Sequence, residues 1–171
     1  DKQFNVVGIA KGSGMIFPNM GTMLGFIFTD LPLPANILNI LLKEAVEKSF
    51  NSITVDGDTS TSDTCLLFST PSTSLNRSIK IIGDKRLIIF REALDKVLQS
   101  LAQQIVCDGE GASKFITINI NSVKSKKMAR NIGLSIANSS LVKTAIAGED
   151  PNWGRIIMAI GKSGTSLIQN K

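Results

Sequence analysis

The sequence predicts a mixed α/β fold, and three observations carry that prediction. Strand-length apolar runs alternate with amphipathic stretches of helical spacing, and Gly-, Pro- and Ser-rich junctions separate them. No internal repeat or low-complexity tract interrupts this order, and mixed strands and helices with turn-rich junctions give an α+β or α/β class. With 171 residues, 43% of them hydrophobic, the chain can bury the core of one domain.

"FNVVGIA" (4–10) is β-rich and ends in the glycine turn "KGSGMIFPN". "MLGFIFTD" (23–30) is a second strand-length run, closed by "DLPLP". From Asn36 the spacing becomes helical. Ile37, Ile40, Leu41, Ala45 and Val46 form an apolar face, with Asn36 as the expected N-cap. "SITVDGDTSTSDTCLLFST" mixes hydroxyls and carboxylates before a strand at "CLLF", and "PSTSLNRS" reads as a loop. A second helix is expected over 91–106, with Leu94, Val97, Leu98, Leu101 and Ile105 on one stripe. "DGEGAS" breaks it, and the alternation of "KFITINI" (114–120) predicts a strand. "SKKMARNIGLSIANSS" reads as a third helix and "RIIMAIG" as a short one stopping at "KSG".

Composition removes several chemistries. The chain has no histidine, so Ser-His-Asp and Cys-His nucleophiles and HExxH metal sites cannot be built from it. Cys65 and Cys107 show no CxxC spacing, which indicates neither a disulfide scaffold nor zinc and points to a reducing, cytoplasmic setting. No apolar run reaches the roughly 18 residues of a membrane span, and the first residues do not read as a signal peptide. Net charge is +5, with Lys124, Lys126, Lys127 and Arg130 clustered. Without interleaved aromatics, and with no tyrosine in the chain, that cluster reads as a solvated helix start rather than a nucleic-acid surface.

What remains is carboxylate pairs, a lysine-assisted site, or a hydroxyl activated by an α-amine. "GKSGT" (161–165) fails as a phosphate loop because Ile156 stands where the first glycine belongs. "DGDTSTSD" fails as a calcium loop: counted from Asp56, Thr61 and Leu67 replace the required Gly and Glu. A buried hydroxyl–carboxylate network bracing a site fits that stretch better. "KGSG" (11–14) is an ordinary tight turn or a nest of backbone amides for an anion, and Glu110 of "DGEG" alone is a turn acid. Thr22, which follows Gly21 at the start of an apolar run, is a packed turn residue or a nucleophile. In the second case its α-amine, ordinarily titrating near 7.7–8.0, could serve as general base once the Gly21–Thr22 bond were cut.

Taken together, "GIAKGSGMIFPNMGTMLGFIFTD", "SFNSITVDGDTSTSDT", "DGEGASKFI" and "LVKTAIAGEDPNWGRI" closely resemble the ornithine acetyltransferases, the glutamate N-acetyltransferases of arginine biosynthesis. The resemblance spans nearly the whole chain in one order and makes it a central segment of such an enzyme. It implies a layered, N-terminal-nucleophile-like fold and self-cleavage at Gly21–Thr22. Residues 1–21 would end an α chain and 22–171 begin a β chain. Thr22 would then be the catalytic nucleophile, also touching substrate, and Lys11 and Glu110 match substrate-contacting positions. Gly21 stands where the family usually has alanine, and Ser62 where it often has asparagine.

The implied reaction moves an acetyl group from N-acetylornithine to glutamate through an acetyl-threonine. No cofactor or metal is implied, and the resemblance leaves open acetyl-CoA as a second donor substrate. The implied partners are the α and β pieces of one precursor, assembling as αβ units into a homo-oligomer, with no nucleic acid and no membrane. Oxyanion-hole donors and further substrate contacts are expected from outside the segment. Two other readings stand beside this one. An N-terminal-nucleophile aminopeptidase of related fold would pass the acyl group to water, and a non-catalytic anion-binding module would use "KGSG" and the basic cluster.

Overall fold

The computed structural model describes residues 4–17, 23–62, 64–70 and 79–165. In place of the one expected domain the chain forms two compact units, Asp1–Glu110 and Gly111–Lys171. The physical reason is two separate apolar clusters, one spanning Ile16 to Ile105 and the other Ile132 to Ala159.

The first unit contains β1 (Val6–Lys11), β2 (Leu24–Thr29), α1 (Ala35–Glu47), a 3-10 turn at Phe50–Ser52, β3 (Thr64–Ser69) and α2 (Arg86–Cys107). The sheet order is β1-β2-β3, antiparallel between the first two strands and parallel between the last two. A parallel pair cannot be joined by a tight turn, and the β2–β3 crossover carries α1.

Alternation divides the sheet into two faces. Gly25, Ile27 and Thr29 of β2 are buried. They stand in register with Cys65, Leu67 and Ser69 on β3 and with Ala10, Gly8 and Val6 on β1. Gly8 admits α2 at close range: a Cβ there would lie 2.8 Å from Leu101 Cδ1 and 3.1 Å from Val97 Cγ1. Among the described residues the opposite face is largely uncovered, with Val7 60%, Ile9 64%, Phe28 41%, Leu66 41% and Phe68 40% exposed. Phe28 and Phe68 stack on it, ring centroids 5.1 Å apart.

α2 carries the expected stripe but begins five residues earlier than residue 91. Leu87 and Phe90 extend the buried series through Leu94, Leu98, Ala102 and Ile105. Asp84 anchors the start, its carboxylate accepting from Arg86 N at 2.9 Å and its carbonyl from Leu87 N at 3.0 Å. The Arg86 guanidinium at 2.5 Å holds the Asp84 carboxyl down to about 2.

In α1 the expected cap is corrected. Pro34, not Asn36, holds the N-cap position, and its carbonyl accepts from Ile37 N and Leu38 N, both at 3.0 Å. Proline supplies extended backbone before the first turn and Asn36 becomes the second helical residue, with no side-chain cap. Ile37, Leu41, Ala45 and Val46 are buried as expected, whereas Ile40 is 41% exposed.

Cys65 lies against the helix-facing side of β3, where burial pushes its thiol up to about 11. Cys107 ends α2 exposed. At pH 8 a pKa near 11 leaves roughly a thousandth of a thiol as thiolate. Iodoacetamide at that pH is therefore expected to label Cys107 promptly and Cys65 only after denaturation, as read by peptide mass mapping. Equal labelling of both thiols would contradict the packing of β3.

The second unit holds α3 (Lys126–Ala137), α4 (Ser140–Ala147) and α5 (Trp153–Gly161). Ser125 and Ser139 cap the first two, accepting from Met128 N at 3.2 Å and Val142 N at 3.3 Å. α4 falls in "LVKTAIAGEDPNWG", a stretch whose spacing alone assigned no element. Lys124, Lys126 and Lys127 are exposed around the start of α3. The strand expected at 114–120 is corrected: the segment pairs with no strand among the described residues. Its alternation instead sets Ile118 and Ile120 against the small core around Ile132 and Ile136. Among the described residues, no helix is long and apolar enough to cross a membrane.

Candidate functional site

Gly21 and Thr22, the expected cleavage pair, lie outside the described residues. Ile16 and Met23 bracket this stretch among the described residues. Ile16 is buried, with its carbonyl accepting from Val55 N at 2.9 Å and Thr54 Oγ1 at 3.2 Å. Met23 is buried as well, and its carbonyl accepts from Thr64 N at 3.0 Å. Both flanking residues are thus tied to the segment between Thr54 and Thr64.

Lys11 ends β1 and stands in register with Leu24, the second residue after Thr22 in sequence. Strand alternation sets Lys11, Leu24 and Thr64 in one row across the three strands, on the uncovered face. The row beneath is apolar, formed by Ile9, Phe26 and Leu66. An exposed ammonium at the margin of an apolar sheet face can bind a carboxylate whose aliphatic part rests on that face.

On the helix side of the same strand end is an open cleft of about 470 Å³. Ala10 of β1 and the following Gly12 and Ser13 border it on one side, and Leu101, Gln104 and Ile105 of α2 with its C-cap Asp108 on the other. Lys11 contributes to its rim, but alternation sends the Lys11 side chain toward the other face. The cleft therefore marks where β1 meets α2. The C-terminus of α2 carries the negative end of the helix dipole, reinforced by Asp108. Glu110 follows two residues later, exposed between buried Gly109 and exposed Gly111, whose φ of +69° turns the chain. Lys11 and Asp108 thus come to the same end of the first unit, the lysine side chain on the uncovered sheet face and Asp108 on the helix side.

The glycine turn after Lys11 opens no helix, as its sequence indicates. Gly12 takes a φ of +145° and Met15 a φ of +54°. The turn is held by Asp56, which accepts from Met15 N at 2.7 Å, Ile16 N at 3.2 Å and Asp58 N at 3.0 Å. The buried hydroxyl–carboxylate network expected in "DGDTSTSD" is corrected to a brace of one carboxylate on backbone amides, with Asp56 and Asp58 exposed. Backbone donors from a neighbouring turn, not burial, keep the carboxylate in place. Asp63 lies outside the described residues. Among the described residues no group of three or more Cys, Asp or Glu is placed to share a metal ion.

Lys11 and Glu110 stand in the sequence beside glycine turns at element ends, whereas the role of Asp56 in holding the glycine turn is not evident there. The available signal was local: Asp56-Gly57-Asp58 has the form of a side-chain-closed turn. Nothing in the spacing shows that the carboxylate oxygens meet Met15 and Ile16, 41 and 40 residues upstream.

Comparison with known proteins completes the picture. The ArgJ family profile matches residues 1–171. The chain is 52% identical over 166 residues to the arginine biosynthesis bifunctional protein ArgJ of Bradyrhizobium diazoefficiens, covering 96% of this chain and 40% of that protein. With the protein of the same name from Brucella suis it shares 55% over 159 residues, 92% of this chain and 38% of the relative. The chain thus spans about 40% of the length of these relatives. The crystal structure of the arginine biosynthesis bifunctional protein argJ from Bacillus halodurans superposes with a TM-score of 0.78 at 38% identity, covering 84% of this chain and 67% of that one. The mixed α/β fold read from the sequence is thus that of a solved relative, and the four sequence blocks belong to one lineage. This chain is a member of the ArgJ family.

Proposed function

We propose that this chain is the central part of a self-processing acetyltransferase that moves an acetyl group from N-acetylornithine to glutamate. The observation that carries the reading is the register of Lys11 with Leu24, which sets a carboxylate-binding cation beside the strand that Thr22 leads into.

In the precursor the Thr22 hydroxyl attacks the Gly21 carbonyl, the peptide C–N bond breaks, and water hydrolyses the resulting ester. Residues 1–21 then end an α chain, and Thr22 opens a β chain with a free amine. That amine takes the hydroxyl proton as the oxygen attacks the acetyl carbonyl of N-acetylornithine. The acetamide C–N bond breaks, ornithine leaves with the proton, and acetyl-threonine remains. The glutamate amine attacks this ester, N-acetylglutamate departs, and the hydroxyl recovers its proton.

Lys11 pairs with the substrate carboxylate, and Glu110 holds the ammonium. Neither charge touches the reacting carbonyl, so both act mainly on binding. The reading needs no metal or cofactor. Acetyl-CoA as a further donor, assembly of αβ units into larger oligomers and a cytoplasmic location belong to the same reading.

Lys11→Ala and Glu110→Ala, made in the full-length protein, are each expected to raise the KM for glutamate or N-acetylornithine by about tenfold or more. kcat should change much less, as for loss of interactions common to ground and transition states. Steady-state kinetics over both substrates, giving parallel ping-pong lines for the parent, checks this. Unchanged KM in both variants would remove these roles.

A further inference from the structure

We propose that Asp56 is a positioning residue for substrate binding: its carboxylate holds the turn after Lys11 in a conformation that the turn's own residues resist. The proposal rests on the acetyltransferase reading of Lys11.

Met15 is the key observation. It is a non-glycine residue with a φ of +54°, in the left-handed region that a side chain disfavours. Such a conformation persists where surrounding contacts over-determine it. Here the contacts are identified. Asp56 Oδ2 accepts from Met15 N at 2.7 Å and Oδ1 from Ile16 N at 3.2 Å, so one carboxylate grips two successive amides. On its other side Ile16 is fixed through its carbonyl by Val55 N and Thr54 Oγ1. Asp58 N closes the brace on itself, donating to Oδ1 at 3.0 Å.

This leaves the stretch from Lys11 to Ile16 held at both ends, by the register with Leu24 and by Asp56. Two acceptor oxygens are required, because a carboxamide would turn an N–H₂ toward one of the amides. Asp56 itself is exposed, and the Met15 amide it grips lies four residues past the lysine, so the brace sets the local geometry of the turn.

The test uses the full-length, cleaved enzyme and compares Asp56→Asn, Asp58→Asn and Asp56→Asn combined with Met15→Gly. Glycine adopts a φ of +54° without strain and should not need the brace. Asp56→Asn is expected to raise the KM for the carboxylate substrates by about fivefold or more with kcat within about twofold. Asp58→Asn makes the same change of charge and is expected to leave KM within about twofold. Adding Met15→Gly to Asp56→Asn is expected to bring KM back toward the parent value, an outcome that a general loss of stability or a field effect would not produce.

Should Asp56→Asn alone prove insoluble, the double variant carries the test, and near-parent KM supports the proposal. Unchanged KM in Asp56→Asn, equal effects of both aspartate changes, failure of glycine to rescue, or an insoluble double variant would each overturn it. A parent enzyme unable to transfer acetyl between N-acetylornithine and glutamate would overturn the acetyltransferase reading, and this proposal with it.

Discussion

Replacing Phe90 with alanine is expected to destabilise the protein by about 3–5 kcal/mol, the range for emptying a fully buried aromatic site. Phe90 is 0% exposed, sits in the first turns of α2 and meets Phe4 with ring centroids 5.6 Å apart at 53°. Its ring joins the helix stripe to the chain entering β1, and both elements lead to the site: β1 ends at Lys11 and α2 leads to Glu110. Collapse around the missing ring would have to shift α2 against Gly8, where Leu101 and Val97 already leave no room for a Cβ. Little relaxation is available, so the upper half of the range is expected. Urea unfolding of the full-length protein measures it, as a lower midpoint at unchanged slope. A loss below about 1 kcal/mol would mean that α2 does not pack as described.

Thr22→Ala is expected to reduce acetyl transfer by at least about a thousandfold, as loss of a covalent nucleophile does. The alternative for this residue, a packed turn threonine, predicts a far smaller effect, because removing a hydroxyl and a methyl costs binding geometry rather than a reaction step. Thr22→Ser separates the two readings. It keeps the hydroxyl and loses the methyl, so the nucleophile account expects retained activity where the packing account expects Ser and Ala to behave alike. Initial-rate assays with N-acetylornithine and glutamate decide between them.

Much of this was legible in the residues, and what was not has identifiable causes. The stripe of α2 was readable because Leu94, Leu98 and Ile105 repeat at helical spacing. Its start was not, since Asp84 anchors the first turn through a carboxylate and a carbonyl that periodicity ignores. Asn36 has the chemistry of a cap, but Pro34 sets the extended backbone one step before Ala35 and takes the position. In 114–120 alternation was read as a strand, although period two reports only that every second side chain meets a core. A ladder needs a partner strand, which local sequence cannot supply.

For the site, Lys11 and Glu110 stood out in glycine turns whose sequence already marked them as ends of elements. The packing of β1 against α2, which sets the end of the first unit where Lys11 lies, is a contact across about 90 residues of chain that no local pattern encodes. The Asp56 brace was hidden for the same reason.

The central claim is that Thr22 becomes an N-terminal nucleophile by cutting its own chain. Intact mass of the full-length protein, beside its Thr22→Ala variant, tests it most directly. The account predicts two pieces divided at Gly21–Thr22 in the parent and one uncut chain in the variant. A single uncut parent chain, or cleavage that persists in Thr22→Ala, would contradict it.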